Sequence, residues 1–235
     1  MTYLVQQLEH MISRMEQEFE VDMSPDSLRL AAEYSNQARS YFGRVLELLQ
    51  GHQLPGVSRE LQEIFGMNCF GAKENVQICR ALYEEASELV KGEANQGKRV
   101  LWIGQVPEES HELLRYVRQA VDLIFWAPLW EANMRMLDAD RPLRDIAERA
   151  MLYHWNAERM AAEMARICEA YTIEGFLIVN VWGCRNMMGV SPVFRDIARS
   201  KKLKYLTINI DLVDRNNYSF SHVKNRVDGF LELMH

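Results

Sequence analysis

The sequence has no apolar run approaching the roughly 18 residues that a membrane-spanning helix requires. Its opening stretch, MTYLVQQLEHMISRMEQEFEVD, carries charges throughout, so it reads as neither a secretory signal nor a membrane anchor. Cysteine is scarce: four in 235 residues, at Cys69, Cys79, Cys168 and Cys184, with no CxxC pair. That usage excludes a disulfide scaffold and suits free thiols or metal ligands in a reducing compartment, so a cytoplasmic location is expected. No basic stripe is present either. Lys and Arg number 27 against 33 Asp and Glu, the net charge is −6, and the two signs are interspersed, which argues against a nucleic-acid partner.

Several catalytic signatures are also missing. The turn WIGQVPEES holds one glycine where a dinucleotide fingerprint needs GxGxxG to bring backbone against a pyrophosphate. A Walker phosphate loop and a GxSxG nucleophile elbow are absent, which disfavours a P-loop nucleotidase and an α/β-hydrolase. His10, His52, His111, His222 and His235 show no HExxH-type metal spacing.

What is present divides by periodicity. Residues 1–97 read as a helical segment. Leu4, Leu8, Met11, Ile12 and Met15 recur at three- and four-residue spacings. A second helix has Ser24 as its cap and Pro25 in its first turn. Its apolar face runs through Leu28, Ala32, Ala38, Phe42, Val45 and Leu49 to a stop at Gly51. Ser58 is expected to cap a short helix, RELQEIFGM, and KENVQICRALYEEASELVKG makes a longer one.

After a polar linker at 91–99 the pattern changes. RVLWIG (99–104), DLIFWAP (122–128), EGFLIVNVWG (174–183) and LKYLTINID (203–211) are short apolar runs, and helical stretches separate them. Continuous apolar strands alternating with helices predict an open four-stranded parallel sheet. The expected fold is a flavodoxin-like or Rossmann-like α/β domain at 98–235, with helices on both faces of the sheet.

In such a sheet, ligands bind beyond the carboxyl ends of the strands. Attention therefore falls on Gly104-Gln105, Ala127-Pro128, the segment from Trp182 to Asn186, and the segment from Asp211 to Asp214. Cys184 is singled out by position, since it follows the third strand where a thiolate would face a ligand crevice. Asp211 and Asp214 read either as a carboxylate pair for a cation or for acid–base work, or as an Asx-type turn leaving the sheet. His154 is placed on a helix. Cys79 and Cys168 fall within helices and read as buried small hydrophobes, and Met15, Met151, Met160 and Met164 as core filler. The ten-residue spacing of Cys69 and Cys79 matches no compact metal motif.

The stretch from YTIEGFLIVNVWGC to NRVDGFLELM resembles the carboxyl-terminal end of the 2-hydroxyacyl-CoA dehydratase family, which includes the benzoyl-CoA reductase subunits. The matching positions are Cys184 after a strand, Asp211 and Asp214 after the next, then Arg226, Phe230 and Glu232 on the closing helix. RVLWIG resembles the first strand of the same domain. SPDSLRLAAEYSNQARSYFGRVLELL resembles the helix before it, with Asn36 and Arg39.

The resemblance implies one component of a dehydratase or reductase. Family subunits have two similar α/β domains and a [4Fe-4S] cluster held mainly by cysteines, two from the amino-terminal domain and one from the strand end of the carboxyl-terminal domain. Cys184 corresponds to the last of these. The cluster passes an electron, supplied by an ATP-driven activator, to an acyl-CoA thioester, and water leaves from the resulting ketyl radical. Arg185 and Asn186 then become candidates to hydrogen-bond cluster sulfur or thioester oxygen, and Trp182 to restrict solvent. Arg185 reads equally well as an ordinary solvated or carboxylate-paired arginine. Because the resemblance covers the carboxyl-terminal half of a family subunit, the remaining ligands are expected from an amino-terminal half or another subunit. The alternative reading is a binding or assembly module that keeps the fold without a cluster.

Overall fold

The computed structural model describes residues 1–54, 56–67, 70–90, 98–107, 111–152, 157–211, 213–214 and 217–234. The chain forms two compact units. One comprises Met1–Leu48, Glu63–Gly92 and Trp130–Tyr153, the other Leu49–Gln62, Glu93–Leu129 and His154–His235.

The first unit is helical. It draws on α1 (Thr2–Phe19), α2 (Pro25–Gly51), the end of α3 (Val57–Met67), α4 (Lys73–Leu89), the short α6 (Glu131–Met134) and α7 (Pro142–Leu152). Helix α2 starts at Pro25 as expected, and the Ser27 amide donates to the Ser24 hydroxyl at 3.4 Å, satisfying one of the orphan donors of the first turn. Its apolar stripe is buried at Ala32, Ala38, Phe42 and Val45, and the Phe42 and Phe70 rings meet edge to face at 5.6 Å. Two polar residues of α2 hold irregular backbone. Asn36 Nδ2 donates to the Leu137 carbonyl at 2.8 Å and Asn36 Oδ1 accepts from the Leu137 amide at 2.7 Å. Arg39 Nε donates to the Asn133 carbonyl at 3.0 Å, at the end of α6.

Two expectations fail, one in each unit. Met151 is 63% exposed, although Met160 and Met164 are buried and Met15 is half-buried. Helical spacing identifies a face but not how far along the helix that face is covered. Ser58 does not cap α3, which begins one residue earlier at Val57. Its hydroxyl instead accepts from the Phe125 amide at 3.1 Å, an edge-strand donor that the sheet leaves unpaired.

The second unit is built on a wholly parallel sheet of β1 (Arg99–Gly104), β2 (Asp122–Phe125), β3 (Gly175–Val181) and β4 (Lys204–Ile210), in the order β2-β1-β3-β4. Side chains alternate across it. One face, with Val100, Trp102, Leu177, Val179 and Ile208, is covered by Leu113 and Val117 of α5 (Glu112–Ala120) and by Val227 and Phe230 of α10 (Phe220–Glu232). The other face, with Leu101, Ile103, Phe176 and Ile178, is buried on the side of α8 (Ala157–Ala170) and α9 (Arg185–Ser200). The fold is therefore the expected open α/β sheet flanked by helices. At its amino-terminal end buried Arg99 pairs with Asp122 at 3.2 Å and donates to the Tyr171 carbonyl at 3.0 Å. Burial pushes the Asp122 carboxyl above the usual aspartate range, and Arg99 opposes that shift.

Candidate functional site

Strand order locates the switch point. From β1 the chain moves to β2 on one side, then returns to place β3 on the other, so the direction of winding switches between β1 and β3. Their carboxyl ends are Gly104 and Val181. Gly104 has φ +113°, and a Cβ there would stand 2.1 Å from the Val179 carbonyl oxygen and 3.4 Å from the Met187 methyl. Only glycine lets β1 end this close to β3.

Beyond Val181 a tight turn delivers the thiol. The Trp182 amide extends the ladder by donating to the Ile210 carbonyl at 3.0 Å. The Cys184 amide then closes onto the Val181 carbonyl at 3.1 Å, with Gly183 in the left-handed region at φ +84°. Cys184 is the N-cap residue of α9, and its carbonyl accepts from the Met188 amide at 3.1 Å. The thiol takes no part in capping. It is free and half-buried at the head of a 16-residue helix.

The flanking candidates share this turn and first helical turn. Arg185 is exposed and Asn186 half-buried, and among the described residues neither side chain makes a hydrogen bond or ion pair. The Trp182 indole is 54% exposed and Met188 is 50% exposed. Val213, beyond the neighbouring strand β4, is 93% exposed.

Asp211 forms the Asx turn. Its Oδ1 accepts from the amides of Val213 at 2.9 Å and Asp214 at 3.0 Å, and its Oδ2 from Asn217 Nδ2 at 3.0 Å. These bonds hold its carboxyl below the usual aspartate range. The oxygens are thus engaged in shaping the loop after β4. Arg226 Nη2 donates to the Thr207 carbonyl at 2.6 Å, and Phe230 is buried against the sheet. His154 and Cys69 lie outside the described residues.

One polar group was not anticipated. Asn180, 5% exposed within β3, donates through Nδ2 to Asn209 Oδ1 at 3.1 Å and Ser191 Oγ at 3.4 Å, while its Oδ1 has no partner. The signal was available as a lone asparagine interrupting the apolar run FLIVNV.

Fit to an iron–sulfur cluster can be tested on the thiols. Cys79 and Cys168 are buried within α4 and α8, and burial pushes both up to about 11, so they are inert small hydrophobes. Among the described residues no group of three or more His, Cys, Asp or Glu could hold a metal ion. A cubane needs about four ligands, and the described residues alone do not make such a site.

No helix among the described residues is long and apolar enough to cross a membrane. Comparison with curated proteins finds no match. A family model, the D-component of 2-hydroxyglutaryl-CoA dehydratase, matches residues 1–234. A D-component is by its description one part of a multi-component enzyme. The chain belongs to the 2-hydroxyglutaryl-CoA dehydratase D-component family.

Proposed function

We propose that this chain is a component of a 2-hydroxyacyl-CoA dehydratase-type enzyme and contributes Cys184 as one thiolate to a [4Fe-4S] site. The other ligands come from another domain or chain. In this reading an acyl-CoA thioester is the substrate class, and an ATP-dependent activator is the electron source.

The observation that carries the reading is the placement of Cys184. A thiol that caps nothing stands at the switch point of a parallel sheet, on the N-terminus of a 16-residue helix. Arg185 and Asn186 hold uncommitted donors in the same first turn, suited to hydrogen-bond sulfur or a thioester oxygen. Trp182 and Met188 expose apolar surface beside the thiol, the kind of rim that a partner covers. Buried against a partner, the indole would also keep water from the site.

The test is anaerobic reconstitution with iron and sulfide, alone and with a candidate amino-terminal partner. The expected result is about four irons per complex with the partner and none held stably by the chain alone. No cluster under either condition contradicts the proposal.

A further inference from the structure

Strand β2 lies at one end of the sheet, with β1 on one side of it and its other edge turned outward. The Asp122 amide donates to the Lys98 carbonyl at 2.9 Å and the Trp126 amide to the Trp102 carbonyl at 3.2 Å, so the even-numbered residues of this stretch face β1. Leu123 and Phe125 therefore present their backbone groups to the outer edge. Ser58 takes the Phe125 amide. Among the described residues nothing takes the Leu123 amide or carbonyl on that side. One residue of the edge is thus left with an open N–H and C=O pair, the arrangement that receives another strand.

A cavity of about 260 Å³ lies against this edge, wholly within the second unit. Asp122, Leu123 and Phe125 line it, together with Gln53, Arg59 and, from the last turn of α5, Arg118. The lining holds two guanidinium groups against one carboxylate, and that carboxylate is paired with Arg99 at 3.2 Å. The Arg59 guanidinium stands 6.0 Å from the Phe125 ring. Each guanidinium carries five donors in a fork that matches a carboxylate. These groups discriminate between ligands. An inorganic anion would use the arginines and the Leu123 amide but be repelled by the Leu123 carbonyl, which is an acceptor. A peptide group with a carboxylate beside it satisfies all of them. The cavity is smaller than the roughly 300 Å³ at which pockets for whole small molecules begin, so it suits one or two residues of a passing chain.

We propose that the cavity on the outer edge of β2 binds an extended acidic peptide segment. One peptide residue lies antiparallel to Leu123 and exchanges both hydrogen bonds with it, while an adjoining Asp or Glu side chain meets Arg59 and Arg118. Pairing stops at Leu123 because Ser58 already holds the Phe125 amide. The site lies at the opposite edge of the sheet from β4 and does not depend on the assignment of Cys184.

The experiment probes the full chain with an array of capped tetrapeptides carrying one or two Asp or Glu residues, beside matched arrays in which Lys or Gln replaces them. Acidic peptides are expected to bind at least about tenfold tighter than their lysine counterparts, and Arg118→Met to weaken the best of them about tenfold. N-methylation of each peptide nitrogen in turn should find one position that abolishes binding, because the Leu123 carbonyl then loses its donor. On titration the backbone ¹⁵N–H resonance of Leu123 should shift downfield, and this shift should appear at saturation in Arg118→Met as well. Acidic peptides that bind no better than lysine ones, none that binds more tightly than about 1 mM, or a bound peptide that leaves the Leu123 resonance unmoved would overturn the proposal. Free glutarate displacing the peptide at equal concentration would also overturn it, since the site would then take a small anion without the strand.

Discussion

Gly104 and Val179 are packed backbone to backbone at the switch point: a Cβ on the glycine would stand 2.1 Å from the valine carbonyl oxygen. The paired residues end β1 and run into the last turns of β3, immediately before the segment that carries Cys184. The geometry of the thiol therefore depends on a residue eighty positions earlier in the chain.

Gly104→Ala tests that dependence. Both the positive φ and the overlap with the Val179 carbonyl oppose the new methyl, and the expected loss of stability is about 3 kcal/mol or more. Urea denaturation measures it. A loss below about 0.5 kcal/mol, the range of an ordinary surface substitution, would show that β1 and β3 can separate without consequence.

In the helical unit, Asn36→Leu removes both bonds to the Leu137 backbone and leaves that amide and carbonyl short of partners. The expected cost is about 2 kcal/mol. Asn36→Asp restores only the accepting half, so its stability should fall between wild type and the leucine variant.

Thiol chemistry separates the described cysteines. With peptide mapping of the native protein under an alkylating reagent, Cys184 is expected to label and Cys79 and Cys168 to remain protected until the chain unfolds. The last two are buried, with their thiols pushed up to about 11. Labelling of Cys168 as fast as Cys184 would contradict the packing of α8.

Two aspartates give opposite pH signatures. The Asp122 carboxyl is raised by burial, so the native state holds a proton that the unfolded chain has released. Its contribution to stability is present below the ordinary aspartate range and is lost as pH rises through the folded value. The Asp211 carboxyl is lowered by bonds from Asp214, Asn217 and Val213, so its contribution is present above the ordinary range and lost as pH falls through the folded value. Denaturation midpoints from about pH 3 to 7 for Asp122→Asn and Asp211→Asn, each subtracted from wild type, should slope in opposite directions. Parallel slopes would contradict the assignment.

Much of the fold was legible because its signals are local. Four apolar runs separated by helical stretches gave the strands and the parallel sheet, and Pro25 marked the start of α2. The position of Cys184 at a strand end was legible for the same reason. Its helix-capping geometry was not, because that depends on how Gly183 turns the chain into α9. Ser58 misled as a cap because its partner, the Phe125 amide, lies 67 residues away. Asn36 and Arg39 were noticed through resemblance, but their roles rest on the backbone of Leu137 and Asn133, about a hundred residues on, which no periodicity reports. Asn180 was visible as a polar break in a strand, yet its partners Ser191 and Asn209 emerge only when β3 pairs with β4 and α9 folds over them.

The central claim is that Cys184 is a ligand supplied to a shared cluster. The most direct measurement compares wild type with Cys184→Ser, each reconstituted anaerobically with the same amino-terminal partner, by iron content and visible sulfur-to-iron absorbance. The wild-type complex is expected to show the full cluster spectrum. The serine variant should fold and bind the partner as before, and lose or strongly shift that spectrum. A serine complex with the same iron content and an unchanged spectrum would contradict the account.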